Sequence, residues 1–114
     1  MLNYVRVEDS GVHEIVDYDY PNICYKVKGE CGITHTTKMS NCRTDDYIEN
    51  LCDRIIVIYD DNSFDVLGMD TLEFAIKMKS RNSSKIKDIY ACILTKWGLD
   101  YVAFVNDKGE LELL

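Results

Sequence analysis

The sequence predicts an α+β fold, in which an antiparallel β-sheet of meanders and hairpins carries two packed α-helices. Short stretches of alternating apolar and polar residues are separated by turn signals, which is typical of hairpin-connected strands. Two stretches place apolar residues at helical spacing behind an acidic first turn. A continuous apolar run at residues 55–59 indicates a strand that is covered on both faces.

The first quarter of the chain predicts a three-stranded meander. Strands are expected at residues 2–7, 12–18 and 23–28, because turn-forming residues separate them and residues 23–28 have the period of a half-buried strand. Residues 29–43 are polar and rich in Thr. They predict a loop with a short strand near residues 33–37, and a loop of this length is more often functional or mobile than incidental.

The first helix is predicted to begin at Thr44. Thr is a good N-cap, and Asp45 and Asp46 would lie in the first turn, where the helix dipole favours negative charge. One helical stripe would then face the core, formed by Tyr47, Ile48, Leu51 and Cys52.

The apolar run at residues 55–59 is followed by a turn at residues 60–63, which predicts a hairpin. A second helix is expected after it, because residues 70–73 resemble a capping box with Asp70 as the cap. Residues 86–94 fit either a helical stripe or a strand. We favour a strand at residues 89–95, because a closing meander gives the next strand a neighbour to pair with.

Length and composition bound the class of protein. The 114 residues predict a single domain covering residues 1–114. No apolar run is long enough to span a membrane, and residues 1–6 do not resemble a secretion signal. The odd number of cysteines favours free thiols in a reducing cytoplasm, so we expect a cytoplasmic protein. The cysteines are Cys24, Cys31, Cys42, Cys52 and Cys92.

The charge is unevenly distributed along the chain. The net charge is −7 and the pI is about 4.7, which disfavours direct binding to nucleic acid or to an anionic membrane. Residues 44–73 contain nine acidic residues and one basic residue, whereas residues 74–98 contain six basic residues and one acidic residue. The acidic middle segment is therefore a candidate contact surface for a basic protein groove. The candidate residues are Asp45, Asp46, Glu49, Asp60 and Asp61.

Motifs for catalysis and cofactors are weak, so the sequence predicts no cofactor, no metal and no catalytic residue. Cys31, His35, Cys42 and Cys52 have the right chemistry for zinc, but they lack the close Cys or His pairs of zinc sites. A thiol nucleophile at Cys31 with His35 nearby is a second alternative. The alternation of Asp61, Ser63 and Asp65 is similar to an EF-hand loop, but Leu72 stands where the bidentate Glu is needed.

Three segments together resemble a group of small phage and mobile-element proteins from low-GC Gram-positive bacteria. These segments are residues 44–53, residues 89–95 together with 98–103, and residues 106–113. The resemblance implies no active site. It supports a strand at residues 89–95, and it places the chain in a context that includes anti-CRISPR inhibitors of host defence.

The sequence thus favours a non-enzymatic inhibitory protein that uses its acidic surface to occupy the nucleic-acid-binding groove of a host nuclease, such as a CRISPR effector. A small thiol- or metal-dependent enzyme built on Cys31 and His35 is the first alternative. A homo-oligomer, in which the acidic middle of one copy meets the basic residues 77–87 of another, is the second.

Overall fold

The computed structural model describes residues 2–8, 11–29 and 32–114. The chain divides into two compact units, Met1–Leu51 and Cys52–Leu114, here called unit 1 and unit 2. Within the described residues 54% lie in strands, which form two five-stranded antiparallel sheets, and there is one short α-helix. The predicted α+β class with two packed helices is therefore wrong, since the protein is mostly β. The assignment of residues 1–114 to a single domain remains a prediction.

Unit 1 is an antiparallel sheet with the strand order β4-β3-β2-β1-β5. Its strands are β1 (Tyr4–Val7), β2 (Gly11–Asp19), β3 (Cys24–Lys28), β4 (Thr34–Lys38) and β5 (Cys42–Asp45). The predicted meander is confirmed as β1, β2 and β3, and the short strand expected near residues 33–37 is β4. The rest of the Thr-rich stretch is not a plain loop, because its last residues belong to β5.

The helix predicted to begin at Thr44 is wrong. Thr44 lies in β5, directly opposite Val5 of β1, so its backbone belongs to a sheet ladder. Only a single 3₁₀ turn, Ile48–Leu51, follows before the next strand begins at Arg54. Pairing with β1 outweighs the local helix signals, because helical propensity is a weak prior that tertiary contacts override.

Unit 2 has the strand order β10-β9-β8-β6-β7. Its elements are β6 (Arg54–Tyr59), β7 (Phe64–Gly68), α1 (Leu72–Lys79), β8 (Ile86–Thr95), β9 (Gly98–Val105) and β10 (Leu111–Leu113). The predicted β6–β7 hairpin is confirmed. The strand interpretation of residues 89–95 is also confirmed, because β8 pairs with both β6 and β9.

The core of unit 2 lies between α1 and one face of the sheet. Leu72 and Ala75 of α1 pack in one buried cluster with Ile55, Val57, Ile89 and Val105. The second predicted helix is thus confirmed, but its predicted cap is wrong. A 3₁₀ turn, Met69–Thr71, precedes α1, and Thr71 is its N-cap without a side-chain capping bond.

Candidate partner-binding surface

The first three predicted contact residues lie where β5 ends in a tight turn: Asp45 is the last residue of β5, and Asp46 and Glu49 follow it. The Asp45 carboxylate accepts hydrogen bonds through Oδ1 from the backbone N of Tyr47 and from Nδ2 of Asn50, both at 2.9 Å. Such an Asx turn fixes the backbone by a side chain. We call residues 45–50 the acidic turn.

Buried side chains and two arginines of unit 1 anchor the acidic turn. Ile48 and Leu51 are buried, with 5% and 1% of their surfaces exposed. Two arginines bind the carbonyls at the end of the 3₁₀ turn: Arg43 Nη2 donates to Asn50 O at 3.4 Å, and Arg6 Nη1 donates to Leu51 O at 3.3 Å. These contacts supply donors that the last carbonyls of a helical turn otherwise lack.

The residues between these anchors point into solvent. Asp46 and Glu49 are exposed, and neither forms an ion pair with any residue of the described ranges. Tyr47 lies between them with 64% of its surface exposed. The hydrogen bond from Asn50, followed by that from the Tyr47 amide, lowers the pKa of Asp45, so this carboxylate stays ionised in mildly acidic solution.

The other two predicted contact residues lie in unit 2, at the tip of the β6–β7 hairpin. Asp60 and Asp61 are exposed, and Asp61 Oδ1 accepts hydrogen bonds from the Ser63 amide, at 2.9 Å, and from the Ser63 hydroxyl. These bonds lower the pKa of Asp61, the hydroxyl contributing most. We call residues 60–63 the hairpin tip.

The hairpin tip has a basic neighbour within its own unit. The Asp60 amide donates to the backbone O of Lys85 at 2.8 Å, and the positive charge of Lys85 also contributes to the lowered pKa of Asp61. The structure therefore brings part of the basic segment beside part of the acidic segment inside one molecule. At Asp61 this contribution is smaller than that of the hydrogen bonds from Ser63.

The described cysteines have the surroundings of structural thiols. Cys24, Cys52 and Cys92 are buried and Cys42 is half-buried, and none of them forms a disulfide. Burial, with a smaller contribution from Asp100, raises the pKa of Cys92 to about 11. Because the thiolate is the reactive form, Cys92 is a poor nucleophile at neutral pH.

The residues of the predicted alternatives are only partly described. Cys31 lies outside the described residues, whereas His35 is exposed on β4 and lines a hollow with His13 of β2. Within residues 2–8, 11–29 and 32–114, no group of three or more His, Cys, Asp or Glu side chains is placed to hold a metal ion. At the EF-hand-like stretch, Asp61 bonds Ser63 and Asp65 accepts a hydrogen bond from Tyr59 Oη at 2.7 Å.

Comparison with known proteins adds no relative. No family model, no curated protein and no solved structure matches this chain. Among the described residues, no helix is both long and apolar enough to cross a membrane.

Sequence reasoning missed the exposed aromatic side chains. Tyr47 was placed on the buried face of a helix, but it lies on the surface of the acidic turn. Trp97 is 87% exposed between β8 and β9, with Lys96 Nζ 5.5 Å from its ring centre. The one available signal for Tyr47 was its position between acidic residues, since exposed aromatics among charges are typical of contact surfaces.

Proposed function

We propose that the protein is a non-catalytic binding protein that attaches to an arginine- or lysine-rich protein surface through the acidic turn. The observation that carries the proposal is the exposed Tyr47, which lies between Asp46 and Glu49, two carboxylates that form no ion pair within the part of the chain that the structure describes. An arginine of a partner can stack on such a ring while a neighbouring carboxylate accepts its hydrogen bonds. Tyr and charged groups of this kind carry much of the energy in many interfaces.

Pre-organisation supports the same proposal. The turn is held by the Asp45 side chain, by two arginines and by two buried residues, so binding needs little ordering of its backbone. Reduced ordering cost raises affinity for the same set of contacts. Asp60 and Asp61 then act as a secondary acidic contact at the hairpin tip, where Lys85 makes a small contribution to the lowered pKa of Asp61.

A nucleic-acid-binding groove has the chemistry that the acidic turn would recognise in a partner. Such grooves concentrate Arg and Lys for phosphate contacts, and carboxylates presented by a small acidic protein compete for the same side chains. By occupying it, the protein would inhibit a nuclease of host defence in the cytoplasm, such as a CRISPR effector. The choice of a host-defence nuclease as partner rests on the resemblance of residues 44–53, 89–95 with 98–103, and 106–113 to small phage proteins.

The test is a titration of the purified protein into a panel of CRISPR effector nucleases, each loaded with guide RNA, with target-DNA binding and cleavage as readouts. We expect at least one effector to lose DNA binding in a salt-sensitive manner. Asp46→Lys/Glu49→Lys should weaken that inhibition more than tenfold, about 1.4 kcal/mol.

A matched control separates the turn from overall charge. Glu14→Lys/Asp107→Lys changes the net charge by the same amount at exposed positions outside both acidic contacts, and it should leave inhibition within threefold. Equal losses of inhibition in the two double variants would show that the effect depends on net charge and not on the acidic turn. Failure to inhibit any effector would contradict the nuclease form of the proposal.

A further inference from the structure

Unit 2 contains an apolar crevice of about 330 Å³ between α1 and the edge of its sheet. Val57 of β6 and Ala75 of α1, both nearly fully buried, contribute to its lining. Leu67 of β7, Phe74 of α1 and Ile86 of β8 are also lining residues, and 37% of Leu67 and 67% of Phe74 remain exposed. The volume is near the lower end of small-molecule pockets, which span roughly 300–1,000 Å³.

The crevice exists because a single short helix covers a five-stranded sheet. The eight residues of α1 make their main contacts with β8, and the core cluster joins α1 to β6, β8 and β9. Strand β7 is an edge strand, and four of its five residues are exposed. The apolar side chains that face the gap between α1 and β7 are therefore left without a covering layer.

One rim of the crevice is polar and positively charged. The segment that leads from α1 into β8 contributes Arg81, Ser83, Ser84 and Lys85 to the lining. Among the described residues, neither Arg81 nor Lys85 makes an ion pair within 4 Å. The Ser84 hydroxyl oxygen accepts a hydrogen bond from the Ile86 amide at 3.1 Å, which fixes this segment against the start of β8.

Acidic groups approach this rim from the β6–β7 hairpin. Asp61 lies close enough for Lys85 to lower its pKa, and Asp65 accepts the Tyr59 hydroxyl, which also lines the crevice. These two carboxylates disfavour a ligand with high negative charge. Arg81 makes no ion pair within 4 Å among the described residues, so a single anionic group is best matched to its guanidinium.

We propose that this crevice is a binding site for a small amphipathic monoanion, with an acyl or aryl body against the apolar lining and a carboxylate between Arg81 and Lys85. Removing the body from water supplies the main attraction, and the two cations fix its orientation. This site is independent of the acidic turn and lies wholly in unit 2.

The test uses octanoate and octan-1-ol as probes, with backbone amide chemical shifts and calorimetry on the full chain. Octanoate should bind at least tenfold more tightly than octan-1-ol and shift amides of residues 57–59, 67, 74–78 and 81–86. Arg81→Glu/Lys85→Glu should remove this tenfold preference for octanoate. Lys87→Glu/Lys96→Glu, at exposed positions outside the lining, should keep it.

A second variant tests the crevice without changing the charge of the protein. Leu67→Trp places a larger side chain at the edge strand, where it should fill the crevice and weaken both probes at least tenfold. Amide spectra of each variant report whether the fold is intact. Equal binding of octanoate and octan-1-ol to the unaltered protein, a tenfold preference for octanoate that survives Arg81→Glu/Lys85→Glu, or no shifts with either probe would each overturn the proposal.

Discussion

Units 1 and 2 are both five-stranded antiparallel sheets, but they bury very different amounts of apolar surface. The described residues of unit 1 bury five apolar side chains: Val5, Cys24, Val27, Ile48 and Leu51. Unit 2 buries thirteen, because its strands are more continuous in apolar residues and α1 covers one face of the sheet. The unit with the smaller core carries the exposed acidic turn, whereas the unit with the larger core carries an apolar crevice.

The two units use their buried apolar residues differently, and their candidate sites differ accordingly. In unit 1, two of the five buried side chains, Ile48 and Leu51, anchor the acidic turn itself. In unit 2, the hairpin tip is held by its own strands and by hydrogen bonds such as that from the Asp60 amide to Lys85. The acidic turn is thus coupled to the core of unit 1, and the hairpin tip is not coupled to the core of unit 2 in the same way.

The largest expected effect comes from truncating the anchor of the acidic turn. Leu51→Ala should cost about 2–5 kcal/mol, because it removes a fully buried side chain and leaves a cavity. In native-state hydrogen exchange, amides of β1 and β5 should lose protection, while amides of β6 and β8 keep theirs. Ile55→Ala, a matched truncation at a fully buried position of unit 2, should show the reverse pattern. An equal loss of protection in both units for either variant would contradict the comparison, and would support the single-domain prediction.

A smaller effect on stability is expected at two tight turns, which place different residue types in the same left-handed backbone conformation. Ile23 in unit 1 and Asn62 in unit 2 both have positive φ angles, of 54° and 67°, and the amide of each donates to the carbonyl three residues earlier. This left-handed conformation costs an ordinary residue about 1–2 kcal/mol, and Asn tolerates it. Ile23→Asn should therefore raise the free energy of unfolding by about 1 kcal/mol in urea denaturation.

The control for that change is Asn62→Gly, which should alter stability by less, since Asn already suits its turn. Ile23 is 65% exposed, so little buried surface is lost when it is replaced. A destabilised Ile23→Asn variant would show that the Ile23 side chain contributes contacts that outweigh the backbone strain.

The sequence predicted unit 2 more successfully than unit 1. A single structural interpretation is favoured for the apolar run of β6, for the turn at residues 60–63 and for the apolar stretch of β8, because long buried strands need continuous apolar residues. Residues 44–52 do not favour a single interpretation. Their cap-like Thr, early acidic residues and apolar spacing fit a helix. Thr44 lies in a strand because it pairs with Val5, which is 39 positions away in the sequence.

The candidate contact residues were predicted as one acidic surface, since sequence shows charge but not its surroundings. Three of them belong to the acidic turn of unit 1 and two to the hairpin tip of unit 2. Lys85 lies 24 positions beyond Asp61, so its effect on the tip could not be read from local spacing. The exposure of Tyr47 was missed for the same reason as the helix: its direction depends on the Asx turn made by Asp45.

The central claim is that the acidic turn, rather than the hairpin tip, is the principal site for a basic partner. The most direct measurement is a titration of the full chain with a nona-arginine peptide, followed by backbone amide chemical shifts at two salt concentrations. We predict saturable shifts concentrated at residues 45–50, reduced at high salt and strongly weakened in Tyr47→Ala. Shifts centred on residues 60–63, or spread over all exposed acids in proportion to charge and unchanged in Tyr47→Ala, would contradict it.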